Sequence, residues 1–228
     1  MLTVKKIAKI IDHTILKPNA TSLEITKACN ECKKYGFGMI AINSAQVKFC
    51  KEQLKGTGIH VGAAISFPLG QTTLETKLFE TKNSIDNGCD EIDYVINIGE
   101  LKNGNIKYVE KEMEAIVGLC HDRNIISKAI LENCYLERNE IIELCKIALK
   151  IKPDFIKTST GFGISGAKVE DVKLMKSIVK DEVGIKAAGG IRDLNTFLEM
   201  IDAGATRIGT TSSIKIIKEY QSSKGIQK

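Results

Sequence analysis

Short runs of β-branched and other apolar residues alternate with amphipathic helical patterns along the whole chain. Eight runs have the length and composition of strands, at residues 10–14, 37–42, 59–66, 91–97, 126–131, 154–157, 183–186 and 206–208. The stretches between them repeat apolar residues at helical spacing, most clearly at Val169, Val172, Met175, Ile178 and Val179. Strand starts lie roughly 28 residues apart, which predicts parallel strands joined by helical crossovers.

Several predicted helices have recognisable ends. Thr21 and Glu24 have the spacing of a capping box at a helix start. Asp193 is suited to cap a later helix that ends at Gly204, and the last helix is predicted to start at Ser212. These local signals agree with the alternation of strands and helices.

Eight β-then-α units predict an α/β fold, a closed (β/α)8 TIM barrel that forms a single domain over residues 1–228. No linker or composition shift divides the chain. The alternative is an open doubly wound sheet. The barrel is favoured because the count is eight and because short strands carry charges where inward positions should be.

Composition narrows the classes of function. Of 228 residues, 43% are hydrophobic, which supplies a full core and excludes global disorder. The net charge of +5 is scattered and aromatic residues make up 5%, so a nucleic-acid partner gets little support. No run approaches the ~20 apolar residues of a membrane helix, and Lys5, Lys6 and Lys9 interrupt any secretory signal. A cytoplasmic protein without a membrane partner is expected.

The seven cysteines do not form a compact framework. Cys29-x-x-Cys32 lies in a helical pattern, and no second pair or histidine pair completes a metal site. We therefore expect no metal, and buried thiols in a reducing compartment.

Charged residues interrupt five of the predicted strands at or near their C-terminal ends. They are Asp12, Asp93, Lys128, Glu132, Lys157 and Lys186. Lys128 and Glu132 are four residues apart and are predicted to share one strand face. One such residue is usually a satisfied ion pair, but six on five strands predict a polar site at the C-terminal mouth of the barrel.

Two of these residues, Lys157 and Lys186, end adjacent predicted strands. Burial and the repulsion of a second ammonium both lower the pKa of a lysine. A neutral amine at Lys157 could attack a carbonyl and form a Schiff base, which then accepts electrons when an adjacent carbon–carbon bond breaks. Asp93 could carry protons directly or through water. This constellation is typical of a class I aldolase.

Two glycine-rich segments follow the seventh and eighth strands. Gly189 and Gly190 lie in the first, and Gly209, Thr211 and Ser212 lead into the last helix. Glycines allow backbone N–H groups to approach an anion, and phosphate sites in this fold commonly use these two loops. The sequence therefore predicts a phosphate site here.

Gly161-Phe-Gly-Ile-Ser-Gly166 also matches the G-x-G-x-x-G pattern of dinucleotide-binding proteins. A lone match is a weak signal, and this interpretation gives no role to Lys157 or Lys186. It is the less favoured alternative.

Five motifs together resemble the deoxyribose-phosphate aldolase family over residues 11 to 217. They are Ile11-Asp-His-Thr-Ile-Leu-Lys-Pro18, Ser66-Phe-Pro-Leu-Gly70, Glu91-Ile-Asp-Tyr-Val-Ile-Asn-Ile-Gly99, Lys157-Thr-Ser-Thr-Gly161-Phe-Gly and Lys186-Ala-Ala-Gly-Gly-Ile-Arg192. The fourth and fifth, in this order, are highly specific.

The resemblance implies reversible cleavage of 2-deoxy-D-ribose 5-phosphate to D-glyceraldehyde 3-phosphate and acetaldehyde, in deoxyribose phosphate catabolism, without a metal or other cofactor. It implies that Lys157 is the Schiff-base lysine, that Lys186 lowers its pKa and that Asp93 relays protons. Asp12 and Lys128 match supporting polar positions, and Gly161 joins the predicted phosphate-binding residues.

The chain departs from the family pattern in three segments, Ala41-Ile-Asn43-Ser44, Asn133, and Thr210-Thr211. Thr211 keeps a hydroxyl, so little effect on phosphate binding is expected. The loss of a cysteine at the first segment is expected to alter aldehyde tolerance rather than the basic chemistry.

Two other functions compete with this hypothesis. One is a different Schiff-base barrel, a transaldolase or sugar-bisphosphate aldolase, and the other is a phosphate-ligand binding protein without catalysis. The sequence leaves the oligomeric state open, with a homodimer as the assembly considered. The polar tail, residues 221–228, is expected to be mobile, and Tyr220 is given no catalytic role.

Overall fold

A computed structural model describes residues 3–225 of the chain, which form a closed barrel of eight parallel strands. Each strand pairs with the next in sequence, and β8 pairs with β1. The strands are β1 (Ile11–Ile15), β2 (Met39–Asn43), β3 (His60–Ile65), β4 (Glu91–Val95), β5 (Ile126–Ile130), β6 (Phe155–Lys157), β7 (Gly184–Ala188) and β8 (Arg207–Thr210). The predicted TIM barrel is confirmed, and the open sheet is excluded because β8 closes on β1.

Helices surround the barrel. They are α1 (Val4–Lys9), α2 (Ser22–Tyr35), α3 (Val47–Gln53), α4 (Leu74–Asp86), α5 (Ile98–Lys102), α6 (Ile106–His121), α7 (Arg138–Ile151), α8 (Val169–Val179), α9 (Leu194–Asp202) and α10 (Ser213–Ser223). Thr21 caps α2 in a capping box with Glu24, and the Asp193 side chain accepts from the Thr196 N–H at the start of α9. Both predicted caps are confirmed.

Some elements differ from the prediction. The pattern did not predict α3, which has seven residues and buries only Val47 and Cys50, too few to show a helical period. Strand β7 continues to Ala188, so Lys186 lies in the middle of its strand rather than at the end. Of the tail expected to be mobile, residues 221–223 belong to α10, while residues 226–228 lie outside the described part. The single domain over residues 1–228 stays a prediction.

Alternation along the strands separates two environments. The apolar core between barrel and helices contains Ile11, Ile92, Ala129, Ile156, Ile185 and Ile208, one from each of six strands. The neighbouring position in each of these strands carries a charge, because successive strand residues point to opposite faces. The chain therefore places apolar side chains outside the barrel wall and charges within it. In the described part of the chain, every helix is too short or too polar to cross a membrane.

A buried ion pair lies outside the barrel, between α4 and α6. Lys77 and Glu112 are both fully buried, with 2.6 Å between Nζ and Oε1. Lys77 Nζ also donates to the Val95 carbonyl at 2.7 Å, and Glu112 Oε2 accepts from the Asn97 N–H at 2.8 Å. The pair thus holds the end of β4 against two helices.

Lys77→Met should destabilise the fold by about 3–5 kcal/mol, because it leaves the Glu112 carboxylate buried without its cation. Lys77→Met combined with Glu112→Leu should recover much of this loss, since neither residue is then a buried charge. Urea denaturation measures both. The control is Lys82→Met on the same helix, which breaks only an exposed pair with Asp86. Equal losses in Lys77→Met and the control would show that the buried pair contributes no more than the exposed one.

Candidate active site

Six side chains inside the barrel form a closed ring in which acidic and basic groups alternate. In order they are Asp93, Lys186, Asp12, Arg207, Glu91 and Lys128, and Lys128 returns to Asp93. The shortest nitrogen–oxygen distances around the ring are 2.6, 2.6, 2.8, 2.9, 2.5 and 2.6 Å. Three cations and three anions make the ring neutral. Each carboxylate therefore has two cationic neighbours, as buried charges require.

Lys157 is the seventh charged group at this place. Its Nζ lies 3.0 Å from Asp93 Oδ2, which also accepts from Lys186 at 2.6 Å. Because the ring is already neutral, a proton on Lys157 leaves a net positive charge in a buried site. Burial and the repulsion of Lys186 lower the pKa of Lys157 to about 8, although Asp93 acts in the opposite direction. A substantial fraction of this amine is neutral near physiological pH.

Asp93 is an ionised carboxylate in this arrangement. Burial alone would raise its pKa, but Lys128, Lys186 and Lys157 together hold the pKa well below the ordinary value. Its Oδ1 accepts from Lys128 and its Oδ2 faces the two other lysines. Asp93 is thus the single anion shared by all three amines.

Strand register brings these groups together. Lys157 lies opposite Lys186 across β6 and β7, and Asp93 lies opposite Lys128 across β4 and β5. Gly209 on β8 leaves room for one of the amines, since a Cβ added there would lie 3.1 Å from Lys186 Cε. The predicted cluster of Lys157, Lys186, Asp93, Lys128 and Asp12 is therefore assembled as one unit, in the middle of the barrel as well as at its mouth.

Two ring members were not among the predicted site residues. Glu91 precedes Asp93 by two positions, so it lies on the same face of β4. Arg207 begins β8 and contacts both Asp12 and Glu91. The signal for Glu91 was present in the period of two. Arg207 lay in the middle of the predicted strand 206–208, a run too short to show which face its side chain takes. On the N-terminal side, Glu91 also bonds the half-exposed His60 at 2.7 Å, which raises the pKa of that imidazole.

The sequence-based placement of Glu132 beside Lys128 on one strand face is wrong. β5 ends at Ile130, and Glu132 has a left-handed backbone with φ of 56°. Its carboxylate instead accepts from the Thr160 N–H at 3.2 Å. Glu132 therefore holds the loop after β6 and takes no part in the ring.

A cavity of about 450 Å³ opens above Lys157 at the C-terminal ends of the strands. It is lined by five of the six predicted phosphate-binding residues, Gly161, Gly189, Gly190, Gly209 and Thr211. Ser212 lies one position beyond this lining, where it precedes α10 and its N–H donates to Thr210 Oγ1 at 2.9 Å. The exposed cations Lys17, Lys27 and Arg192, which were not among the predicted site residues, line the same cavity.

The last glycine of the G-x-G-x-x-G match, Gly166, serves a contact between two loops. A Cβ added to Gly166 would lie 2.2 Å from the Gly189 carbonyl oxygen, and the Ala167 N–H donates to Gly189 O at 3.1 Å. The loop after β6 can therefore approach the loop after β7 only with glycine at this position. This packing accounts for the motif without a dinucleotide.

Cys29 and Cys32 are free and buried on α2. Within residues 3–225, no group of three or more His, Cys, Asp or Glu side chains is arranged to hold a metal ion.

A parallel barrel that holds a lysine–carboxylate cluster beneath a cavity of about 450 Å³ is an arrangement suited to an enzyme that acts on carbonyl compounds. The sequence profile described as DeoC/LacD family aldolase matches residues 6–216 of this chain. The chain belongs to this family of aldolases and is a carbon–carbon lyase. The predicted family and enzyme class are confirmed.

Relatives of known name agree with this assignment. The chain is 58% identical over 214 residues to deoxyribose-phosphate aldolase of Lactobacillus acidophilus, an alignment that covers 94% of this chain and 90% of the relative. It is 51% identical over 220 residues to the deoxyribose-phosphate aldolase of Bacteroides thetaiotaomicron, with 96% and 92% covered. The tetrameric deoxyribose phosphate aldolase structure from Aeropyrum pernix superposes with a TM-score of 0.90 at 29% identity, covering 96% of this chain and 93% of the other.

The pKa of Lys157 should move in opposite directions when its two nearest charged neighbours are changed. Lys186→Met removes a repelling cation and should raise the pKa above about 8, whereas Asp93→Asn removes the attracting anion and should lower it. Acetylation by acetic anhydride across pH, quantified on the Lys157 peptide by mass spectrometry, measures the fraction of neutral amine without requiring catalysis.

Lys102→Met, an exposed lysine paired with Glu140, is the control and should leave the Lys157 profile unchanged. If both site variants shifted the profile in the same direction, the electrostatic account of Lys157 would fail.

Proposed function

We propose that this aldolase reversibly cleaves 2-deoxy-D-ribose 5-phosphate to D-glyceraldehyde 3-phosphate and acetaldehyde through a Schiff base on Lys157. The observation that carries the proposal is the placement of the Lys157 amine, buried at the floor of a cavity whose wall includes glycine turns, with Nζ 3.0 Å from Asp93 Oδ2. The names of the close relatives support the substrate.

In this proposal the neutral Nζ of Lys157 adds to the C1 carbonyl of the open-chain sugar phosphate, and loss of water gives an iminium ion. A base takes the proton from the hydroxyl on C3, the C2–C3 bond breaks, and its electron pair passes into an enamine. The fragment that contains C3, C4 and C5 leaves as D-glyceraldehyde 3-phosphate. C2 then takes up a proton, and water hydrolyses the second iminium ion to release acetaldehyde and the free amine. The sequence of steps needs no metal or other cofactor.

Asp93 and Lys186 carry the protons in this scheme. Asp93 Oδ2 lies within 3.0 Å of Lys157 and 2.6 Å of Lys186, so a proton can pass between the groups directly or through a water. Asp12 and Lys128 support the pair because each contacts one of its members at 2.6 Å. Lys186 also acts through its charge on Lys157.

The phosphate group is assigned to the loops after β6, β7 and β8. Gly161, Gly189, Gly190, Gly209 and Thr211 supply backbone groups and a hydroxyl, with Ser212 at the start of α10, and the exposed cation Arg192 lies at the rim. Binding of the phosphate group in these loops holds C1 of the substrate at Lys157, and so it assists the chemical step.

This proposal accounts for more of the site than its two rivals. A sugar-bisphosphate aldolase needs two anion sites, whereas the glycine loops form one. A binding protein without catalysis has no use for a lysine with a lowered pKa beside a second lysine and a carboxylate. The cytoplasmic location and the homodimer stay predictions, and light scattering on the purified protein measures the latter.

Lys157→Ala should abolish both cleavage and covalent trapping. Borohydride reduction of the wild-type protein with 2-deoxyribose 5-phosphate should add the substrate-derived mass to the peptide containing Lys157, because reduction makes a Schiff base permanent. The control is Lys168→Ala, an exposed lysine at the start of α8, which should trap normally. Turnover by a folded Lys157→Ala variant, or a label on another lysine, would contradict the assignment.

Lys186→Arg should lose at least about 10²-fold in kcat/KM, although the positive charge is kept. Guanidinium does not readily release a proton, and its larger fork does not fit beside Asp12, Asp93 and Gly209 in a packed interior. A pH–rate profile measures the effect, with circular dichroism as the check on folding. Activity close to that of the wild type would limit Lys186 to an electrostatic role.

A further inference from the structure

His13 on β1 connects three elements at the wall of the cavity, and the proposed chemistry does not use it. The residue is 5% exposed, and its ring stacks on Phe37 at 5.1 Å between centroids. Nδ1 lies 3.0 Å from Ser213 Oγ on α10, and Nε2 lies 2.9 Å from Glu31 Oε2 on α2. Both ring nitrogens therefore have a hydrogen-bond partner, one on α10 and the other on α2.

Ser213 continues this network into the turn between β8 and α10. Its Oγ lies 3.1 Å from the Thr210 carbonyl oxygen. Thr210 Oγ1 donates to the Ile191 carbonyl at 2.6 Å and accepts from the Ser212 N–H at 2.9 Å. Since Thr210 and Thr211 line the cavity, the turn that faces the phosphate group is tied through Ser213 to His13.

We propose that His13 is a positioning residue that couples its own protonation to anion binding at the turn between β8 and α10. The proposal rests on the proposed function, because the anion is the phosphate group of that substrate. It assigns to Glu31, His13 and Ser213 one shared task, which is to hold the turn for a doubly charged anion.

The hydrogen-bond inventory of the three residues leads to this coupling. Ser213 has one hydroxyl proton and two acceptors within reach, Thr210 O and His13 Nδ1. When the imidazole is protonated, both of its nitrogens donate, so the Ser213 hydroxyl is left to donate to Thr210 O. When the imidazole is neutral and Nε2–H donates to Glu31, Nδ1 needs a donor, and the Ser213 hydroxyl turns away from Thr210 O. Deprotonation of the His13 imidazole thus removes its positive charge and, at the same time, the hydrogen bond from the Ser213 hydroxyl to the Thr210 carbonyl oxygen.

Charged groups around His13 set the pH range. Glu31 on α2 faces the ring directly, and burial lowers the pKa of His13 below its ordinary value despite this carboxylate. Glu24 and Lys27 on α2, Lys17 after β1, Arg192 after β7 and Lys157 on β6 line the same cavity, and α10 contributes Ser213. The coupling is therefore expected below about pH 6.5, in a range where Lys157 keeps its proton.

Sulfate is the suitable probe, because it keeps two negative charges across this range, whereas phosphate monoesters titrate near pH 6. Sulfate affinity, obtained from the rise in melting temperature with sulfate concentration between about pH 5 and about pH 6.5, should fall about 3- to 10-fold in the wild-type protein as pH rises. His13→Asn should remove most of this change. Ser213→Ala keeps the imidazole but should also flatten the profile, since the hydroxyl carries the coupling.

His121→Asn is the matched control, because His121 bonds Asp154 at the opposite, N-terminal face of the barrel. It should retain the wild-type profile. In kinetics, His13→Asn and Ser213→Ala should raise KM more than they lower kcat, and should reduce the preference in kcat/KM for 2-deoxyribose 5-phosphate over 2-deoxyribose.

A wild-type slope in Ser213→Ala would overturn the proposal, as would a wild-type slope in His13→Asn or an absence of sulfate binding. If His13→Asn does not fold, Ser213→Ala decides alone. The sulfate measurement requires no turnover. A coupled sulfate profile in a protein that does not cleave the sugar phosphate would therefore refute the proposed function and leave this inference standing.

Discussion

The neutral ring of three acids and three bases is the constraint on which the rest of the site depends. A charged side chain buried within a barrel is unfavourable unless it has neighbours of opposite charge and its hydrogen bonds are satisfied. Here every ring carboxylate contacts two cations, and every ring cation contacts two carboxylates. With all six balanced, only Lys157 lacks a partner of its own. The ring therefore selects which amine becomes neutral.

This selection explains why the pKa values of two neighbouring lysines, Lys128 and Lys157, move in opposite directions. Lys128 has two carboxylates at close range, so despite burial its pKa is raised, and it stays charged. Lys157 shares its one carboxylate with two other amines, and its pKa is lowered. Both have the same chemical group, and both are buried. The number of carboxylate contacts, set by strand register, separates the cation that supports the site from the amine suited to react.

Site residues could be predicted from the sequence where a charged residue stands in a run that is otherwise apolar. Lysines and aspartates in strands that should be apolar stand out, and so Lys157, Lys186, Asp93, Lys128 and Asp12 could be predicted. Arg207 lay within a predicted strand of only three residues, and its partners Asp12 and Glu91 are far away in sequence. Glu132 was misplaced because alternation was extended past the end of β5 into a left-handed residue. Lys17, Lys27 and Arg192 resemble any surface cation until the fold turns them to one cavity.

The closure of the ring has a consequence for a chain during synthesis. Asp12 belongs to the first strand and Glu91 to the fourth, but Arg207, which contacts both, belongs to the last. In a nascent chain that has not yet emerged as far as β8, Asp12 and Glu91 each have one lysine neighbour but lack their second cation, Arg207. A partial barrel is therefore electrostatically unfavourable, and it also exposes the edges of β1 and β7 that β8 later covers. Because Arg207 is supplied by the last strand, a barrel without β8 is destabilised, and burial of the ring charges is coupled to the pairing of β8.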